Sequence, residues 1–221
     1  GDTVLLPQPI VAAYDNAGNL VQDGIGLVLA NVTVKSLFVE TEASFLLQSK
    51  DVSGALAVMN NGTAHFSDLL VGRASQNVSY FLIFSYKANR TTFTPDMISV
   101  QSAPFYVTWG LPRALKVLIQ PGVGSGGTQL SEQPVVGIVD KSDNVCLLND
   151  ELIIASIGNN GGIIGSLSGN TKVMTNSGIS AFSNLKIDFA GSGYSLIFSS
   201  DNYGSAESAA LDIVVGQACC L

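Results

Sequence analysis

The sequence predicts an all-β protein made of two tandem immunoglobulin-like β-sandwich domains, residues 1–112 and 113–221. Three observations lead there. The 221 residues are 47% hydrophobic and only 12% charged, so much of the chain is destined for burial. The apolar runs, such as "GIGLVLANV" (24–32) and "ELIIASI" (151–157), have the length of strands and fall short of the roughly 18 to 20 residues needed to span a bilayer. Finally, the chain writes most of its segments twice, in the same order.

The repetition is clearest in "PQPIVAAYDNAGNLV" (7–21) and "EQPVVGIVDKSDNVC" (132–146), which set Pro9 on Pro134, Asp15 on Asp140 and Asn19 on Asn144 at a spacing of 125. "NGTAHFSDLLV" (61–71) then lies on "SGISAFSNLKI" (177–187) at 116, with Gly62 on Gly178 and Phe66 on Phe182. "YFLIFS" (80–85) lies on "YSLIFS" (194–199), and "SAPFYVTWG" (102–110) on "SAALDIVVG" (208–216) at 106. The shrinking spacing assigns longer loops to the first copy, mainly at 37–58 and 86–100, because loops are where such scaffolds take insertions. The boundary between copies is expected near 110–115.

Each element follows from its composition. In the second copy "LKVLIQPGVGS" (115–125) reads as an opening strand and a Gly-rich turn, leading through "GGTQLSEQP" (126–134) into "PVVGIVD" (134–140). There, and in "YSLIFSS" (194–200) and "LDIVV" (211–215), apolar residues partly alternate with small or polar ones and β-branched or aromatic types dominate, as half-buried pleated strands require. "DNAGN" (15–19) and "DKSDN" (140–144) are turns: Asp bonds its own downstream backbone, and Gly and Asn tolerate positive φ. Apolar spacing of 3.6 nowhere persists over a helix length with caps. Two sandwiches of about 100 residues each are the economical result.

The first copy starts with "GDTVLLPQP" (1–9), which matches 126–134, so by this register it has no opening strand. At the other end "GQACCL" (216–221) matches "GLPRAL" (110–115). An empty strand position leaves unpaired backbone over a part-open core and invites strand addition from another chain. Two readings are open. A neighbouring molecule supplies the strand, in a head-to-tail contact that does not close and therefore makes a filament; or the 221 residues belong to a longer array whose preceding strand lies outside them. The candidate assembly residues are Gly1, Asp2, Thr3, Val4, Leu5 and Leu6 at one end and Ala218 and Leu221 at the other.

The order "QPxVxxxD...N", then "GISAFSNLKI", "GSGYSLIFSS" and "SAxxxxVxxG" resembles the invasin and intimin type of immunoglobulin-like repeat. Similar repeats occur in large extracellular proteins of algae and protists, including mastigoneme-like fibrous structures, and in fibrocystin-like ectodomains. The resemblance covers essentially the whole chain, twice. It implies an extracellular or cell-surface scaffold and speaks to fold more than to function. In the bacterial adhesins receptor binding is attributed to a distal lectin-like domain, which nothing here matches, so no binding residue carries over; Pro134, Asp140, Gly178, Phe182 and Tyr194 match as turn and core positions.

The remaining signals are chemical. Cys146, Cys219 and Cys220 all fall in the second copy. In an oxidising compartment one terminal cysteine would pair with Cys146 and leave the other for an intermolecular bridge; three thiols are the alternative. Zinc lacks a fourth ligand at sensible spacing. Four glycosylation sequons, Asn31, Asn61, Asn77 and Asn89, lie in the first copy and none in the second, which favours a secreted, glycan-bearing protein. The net charge of −7 argues against nucleic acid, and no segment suits membrane insertion. His65, the only histidine, reads as a strand side chain, so no catalytic triad assembles and no enzyme or cofactor is expected. "GVGSGG" (122–127) precedes a strand and lacks the helix N-terminus of a phosphate cradle. Asp15, Asp23, Asp140 and Asp143 lie near turns of the oxygen-rich kind that can hold Ca²⁺, but their spacing does not match an EF-hand loop. These features point to a structural subunit of an extracellular filament or array, with itself as partner. The alternative is a spacer or adhesin segment that binds a protein or glycan through "VETEASFLLQSKDVSG" (39–54) and "KANRTTFTPD" (87–96).

Overall fold

The computed structural model describes residues 5–22, 26–36, 52–53, 55–74, 78–87, 98–160 and 165–216, and none of these is helical. The protein is all-β, with curled, sandwich-like, mostly antiparallel sheets. Its contacts divide it into two compact units, Gly1–Gly110 and Leu111–Leu221.

The first unit contains β1 (Ile10–Ala12), β2 (Gly26–Ser36), β3 (Val52–Ser53), β4 (Leu56–Asn60), β5 (Thr63–His65), β6 (Leu70–Val71), β7 (Val78–Lys87) and β8 (Ile98–Gln101). They form one sheet in the order β1-β5-β4-β2-β7-β8, with β3 and β6 paired separately. The second contains β9 (Ala114–Ile119), β10 (Gly124–Ser125), β11 (Val135–Val139), β12 (Leu152–Asn160), β13 (Leu167–Ser168), β14 (Lys172–Met174), β15 (Ile179–Ala181), β16 (Lys186–Ile187), β17 (Gly191–Ser200), β18 (Gly204–Glu207) and β19 (Leu211–Val214). One sheet runs β10-β19-β17-β12-β14 with β18 on β17, another runs β15-β11-β9, and β13 pairs with β16.

The repeat written in the sequence is built twice in hydrogen bonds. Asp15 accepts from the N–H of Ala17 at 2.9 Å and of Asn19 at 2.8 Å, and Asn19 Nδ2 returns to its carboxylate. Asp140 does the same with Ser142 at 2.9 Å and Asn144 at 3.0 Å. The carboxylate replaces the missing backbone acceptors of a tight turn, which is why Asp opens each turn and Asn closes it. Gln8 bridges Leu5 and Leu69 with its amide, donating to both carbonyls and accepting from Leu69 N–H at 3.0 Å; Gln133 spans Leu130 and Leu185 identically, the last bond at 2.8 Å. Ser102 and Ser208 each accept a strand N–H at 3.0 Å, from Leu82 and Leu196.

Packing repeats as well. Phe66 meets Phe84 with ring centroids 5.3 Å apart, and Phe182 meets Phe198 at 5.2 Å, tilted pairs worth about 0.5–1.5 kcal/mol beyond their burial. Around the first lie Val28, Ala30, Met59, Ala64 and Leu82. In the second unit Val136, Ile138, Ile153, Leu185 and Leu196 are all fully buried. The hairpin from β4 to β5 turns through Asn61 (φ 48°) and Gly62 (φ 78°), and its counterpart turns through Ser177 (φ 50°) and Gly178 (φ 77°). Gly62 is forced on two counts: its φ is positive, and a Cβ would sit 2.6 Å from the Val21 carbonyl oxygen.

Candidate functional site

The two units differ in the pairing of one strand. In the second unit β11 is interior: β15 bonds one edge, and on the other Val135–Val139 faces Ile119–Ala114 of β9. Its counterpart β1 pairs with β5 alone, Ile10 opposite His65 and Ala12 opposite Thr63. Pro9 C=O accepts from Phe66 N–H at 3.2 Å, and Ala13 N–H donates to Gly62 C=O at 2.9 Å, both toward β5. By strand alternation the N–H and C=O of Ile10 and Ala12 therefore point to the opposite edge, where no strand pairs with β1 among the described residues. At the position of Tyr14 the second unit has Val139, whose C=O accepts from Arg113 N–H at 2.8 Å.

Exposure differs in the same sense. Val136 and Ile138 are fully buried, whereas Val11 and Ala13, at the same places, are partly exposed. Ile10 is 62%, Tyr14 64% and Leu6 84% exposed. Beside them runs a groove of 510 Å³, walled by Leu5, Leu6, Pro7 and Pro9 on one side and by residues 102–108 on the other, with Val71 and Leu82 contributing. In the second unit the corresponding surface carries residues 120–126. Gly122 N–H donates to Glu132 C=O and Ser131 N–H donates to Val123 C=O, each at 2.9 Å. Ala209 N–H donates to Gln120 Oε1 at 2.8 Å, and Gly124 pairs in parallel with Ile213.

Of the residues expected to mediate assembly, Leu5 and Leu6 line this groove, and Leu5 N–H is tied to Leu69 C=O at 3.0 Å. Gly1, Asp2, Thr3, Val4, Ala218 and Leu221 lie outside the described residues. Terminus-based reasoning missed Ile10, Ala12 and Tyr14, which form the open edge. The signal for them was the match of 10–14 to 135–139, the strand that β9 flanks in the second unit.

The other candidates are placed as follows. Asn31 is exposed on β2 and Asn61 is exposed at the β4–β5 turn; Asn77 and Asn89 lie outside the described residues. Cys146 is buried, its Sγ 3.7 Å from the Asn144 carbonyl, while Cys219 and Cys220 lie outside. His65 is an exposed β5 side chain. The carboxylates of Asp15 and Asp140 are engaged by their own turns, and Asp143 pairs with Lys116 at 2.7 Å, fastening β9 to the turn after β11; Asp23 lies outside. No cluster of three or more potential metal ligands occurs among the described residues.

Three carboxyls titrate below their ordinary values. Bonds from the Asn19 backbone and then its side chain lower Asp15. Bonds from the Ser166 backbone at 2.6 Å and hydroxyl at 2.8 Å lower Asp188. Glu151 is lowered first by the Ser200 hydroxyl and then by the Asn202 side chain, which hold the start of β12 to the turn after β17. All three are anchors of loops, with hydrogen bonding to the charged form as the cause.

No protein-family model and no curated protein matches the chain. Among solved structures it is similar to a β-glucuronidase of Parabacteroides merdae (TM-score 0.35, 13% identity, 85% of this chain and 21% of that one). It is also similar to domains 4–9 of the surface layer protein SbsC (0.34, 10%, 95% and 25%) and to β-glucuronidase 3 of Bacteroides uniformis (0.33, 9%, 96% and 25%). The chain spans about a quarter or less of these structures. Among the described residues no helix is long and apolar enough to cross a membrane.

Proposed function

We propose that this protein is a non-catalytic, immunoglobulin-like structural subunit of an extracellular filament or surface array, and that copies join head to tail by β-strand addition to the first unit. The observation that carries this reading is the open edge of β1, whose counterpart β11 is paired on both sides. Unpaired strand edges flanked by exposed apolar side chains are associating surfaces, and proteins that remain dispersed blunt them with charge or proline. Here β1 reads Ile-Val-Ala, with Tyr14 just beyond. A contact between an edge at one end and a strand from the next molecule is heterologous and propagates. Sequons confined to the first unit fit a secreted protein. Electron microscopy of native material, with and without reductant, tests the reading. Uniform filaments with an axial repeat no longer than two units support it, and their loss on reduction assigns a cysteine to the joint. Dispersed two-bead rods overturn it and leave a spacer or adhesin segment.

A further inference from the structure

The chain carries its own template for what fills the open edge. Residues 114–126 of the second unit run antiparallel along β11 and then cross the surface that corresponds to the groove of the first unit. We infer, resting on the strand-addition reading above, that the groove of the first unit is a receptor for an extended donor segment of the 114–126 type from a neighbouring molecule, antiparallel to β1.

The receptor has the groups this segment uses. Opposite the donor strand, Ile10 and Ala12 present N–H and C=O where Val135 and Gly137 face Ile119 and Lys116. Further along, by the register of the repeat, Leu6 N–H corresponds to the Ser131 N–H that donates to Val123, the Pro7 carbonyl to the Glu132 carbonyl that accepts from Gly122, and Ala103 N–H to the Ala209 N–H that donates to Gln120. Proline at position 7 loses nothing, because only the carbonyl is used there. Apolar side chains on alternate donor residues, in the places of Leu115 and Val117, would cover Ala13 and Val11, which are now partly exposed.

Two differences between the units define what the donor must be. At Gly137 a Cβ would lie 2.8 Å from Leu118 Cδ1, and the first unit has Ala12 there, so a residue smaller than Leu at the place of 118 fits beside it without a side-chain shift. Lys116 is held by Asp143, and the first unit has Gly18 at that position, so the donor needs no cation at 116. The place of Gly122 requires glycine, because a Cβ would strike the chain at Ser131 and Glu132, where the first unit has Leu6 and Pro7. The donor is thus an apolar-alternating strand with a small residue near its end, followed by a turn with a glycine.

The test uses the full chain and a fluorescent peptide of residues 113–126 carrying Leu118→Ala, followed by anisotropy. Saturable binding of one peptide per chain is expected. The same peptide with Val117→Asp should bind about tenfold or more weakly, because the charge would have to be buried. That substitution is in the peptide, so folding of the chain is not at stake. Absence of saturable binding, which includes a groove already filled by the protein's own residues, overturns the inference, as does equal binding of the Val117→Asp peptide. Filaments without peptide binding would refute the receptor and leave the structural reading standing through other contacts. Peptide binding without filaments would do the reverse.

Discussion

At the residue scale, the paired Asp and Asn of the two turns explain why the same phrase is written twice. One carboxylate collects two backbone N–H bonds and an amide in each unit, a job that Ala cannot do. Asp140 is 3% exposed, so Asp140→Ala is expected to cost the second unit about 1–3 kcal/mol, read as a lower urea midpoint; Asp15→Ala, on the surface, should shift the first unit less. The lowered carboxyls give a pH dependence of definite sign. Because Asp15, Asp188 and Glu151 titrate lower when folded than unfolded, their contribution is complete above the ordinary carboxyl range and is lost as pH falls through their folded values. Carboxyl NMR titration should place the midpoints of Asp15 and Asp188 below 3.8 and that of Glu151 below 4.5. Midpoints at or above those values would mean that the turn bonds do not hold the charged forms.

At the scale of elements, the strands and turns that sequence logic marks are those whose side chains speak locally. "PVVGIVD", "YSLIFSS" and "LDIVV" coincide with β11, β17 and β19, and the opening strand expected at 115–125 is β9 followed by β10. Short elements such as β13 and β16 were not legible, because two paired residues leave no periodicity to read. Sequence logic also did not reveal the hydrogen-bonding role of Gln8 and Gln133: a lone glutamine looks like surface, and only the fold brings Leu69 and Leu185 to its amide. The hairpin glycines are a sharper case. A Cβ at Gly178 would collide with the Cys146 carbonyl, and its φ is 77°, so Gly178→Ala should destabilise the second unit by more than about 1 kcal/mol in chemical denaturation. A neutral result would show that this hairpin can shift away from Cys146.

At the scale of the whole molecule, the tandem pattern sets β1 on β11, and among the described residues β1 pairs with β5 alone where β11 pairs on both sides. The residues of the site were less legible than its existence. Attention to termini picked Gly1–Leu6, whereas the edge groups belong to Ile10 and Ala12, because which face of a short strand is bare depends on the register with β5 and not on local composition. Assembly by strand addition requires that edge to be open in the separate molecule and closed in the assembly. Amide hydrogen exchange at Ile10 and Ala12, compared between dispersed chain and assembled material, tests this most directly. Fast exchange is expected in the dispersed chain, well ahead of Val135 and Gly137, with strong protection at both residues on assembly. Slow exchange at Ile10 and Ala12 before assembly, or no change with it, would contradict strand addition at this edge.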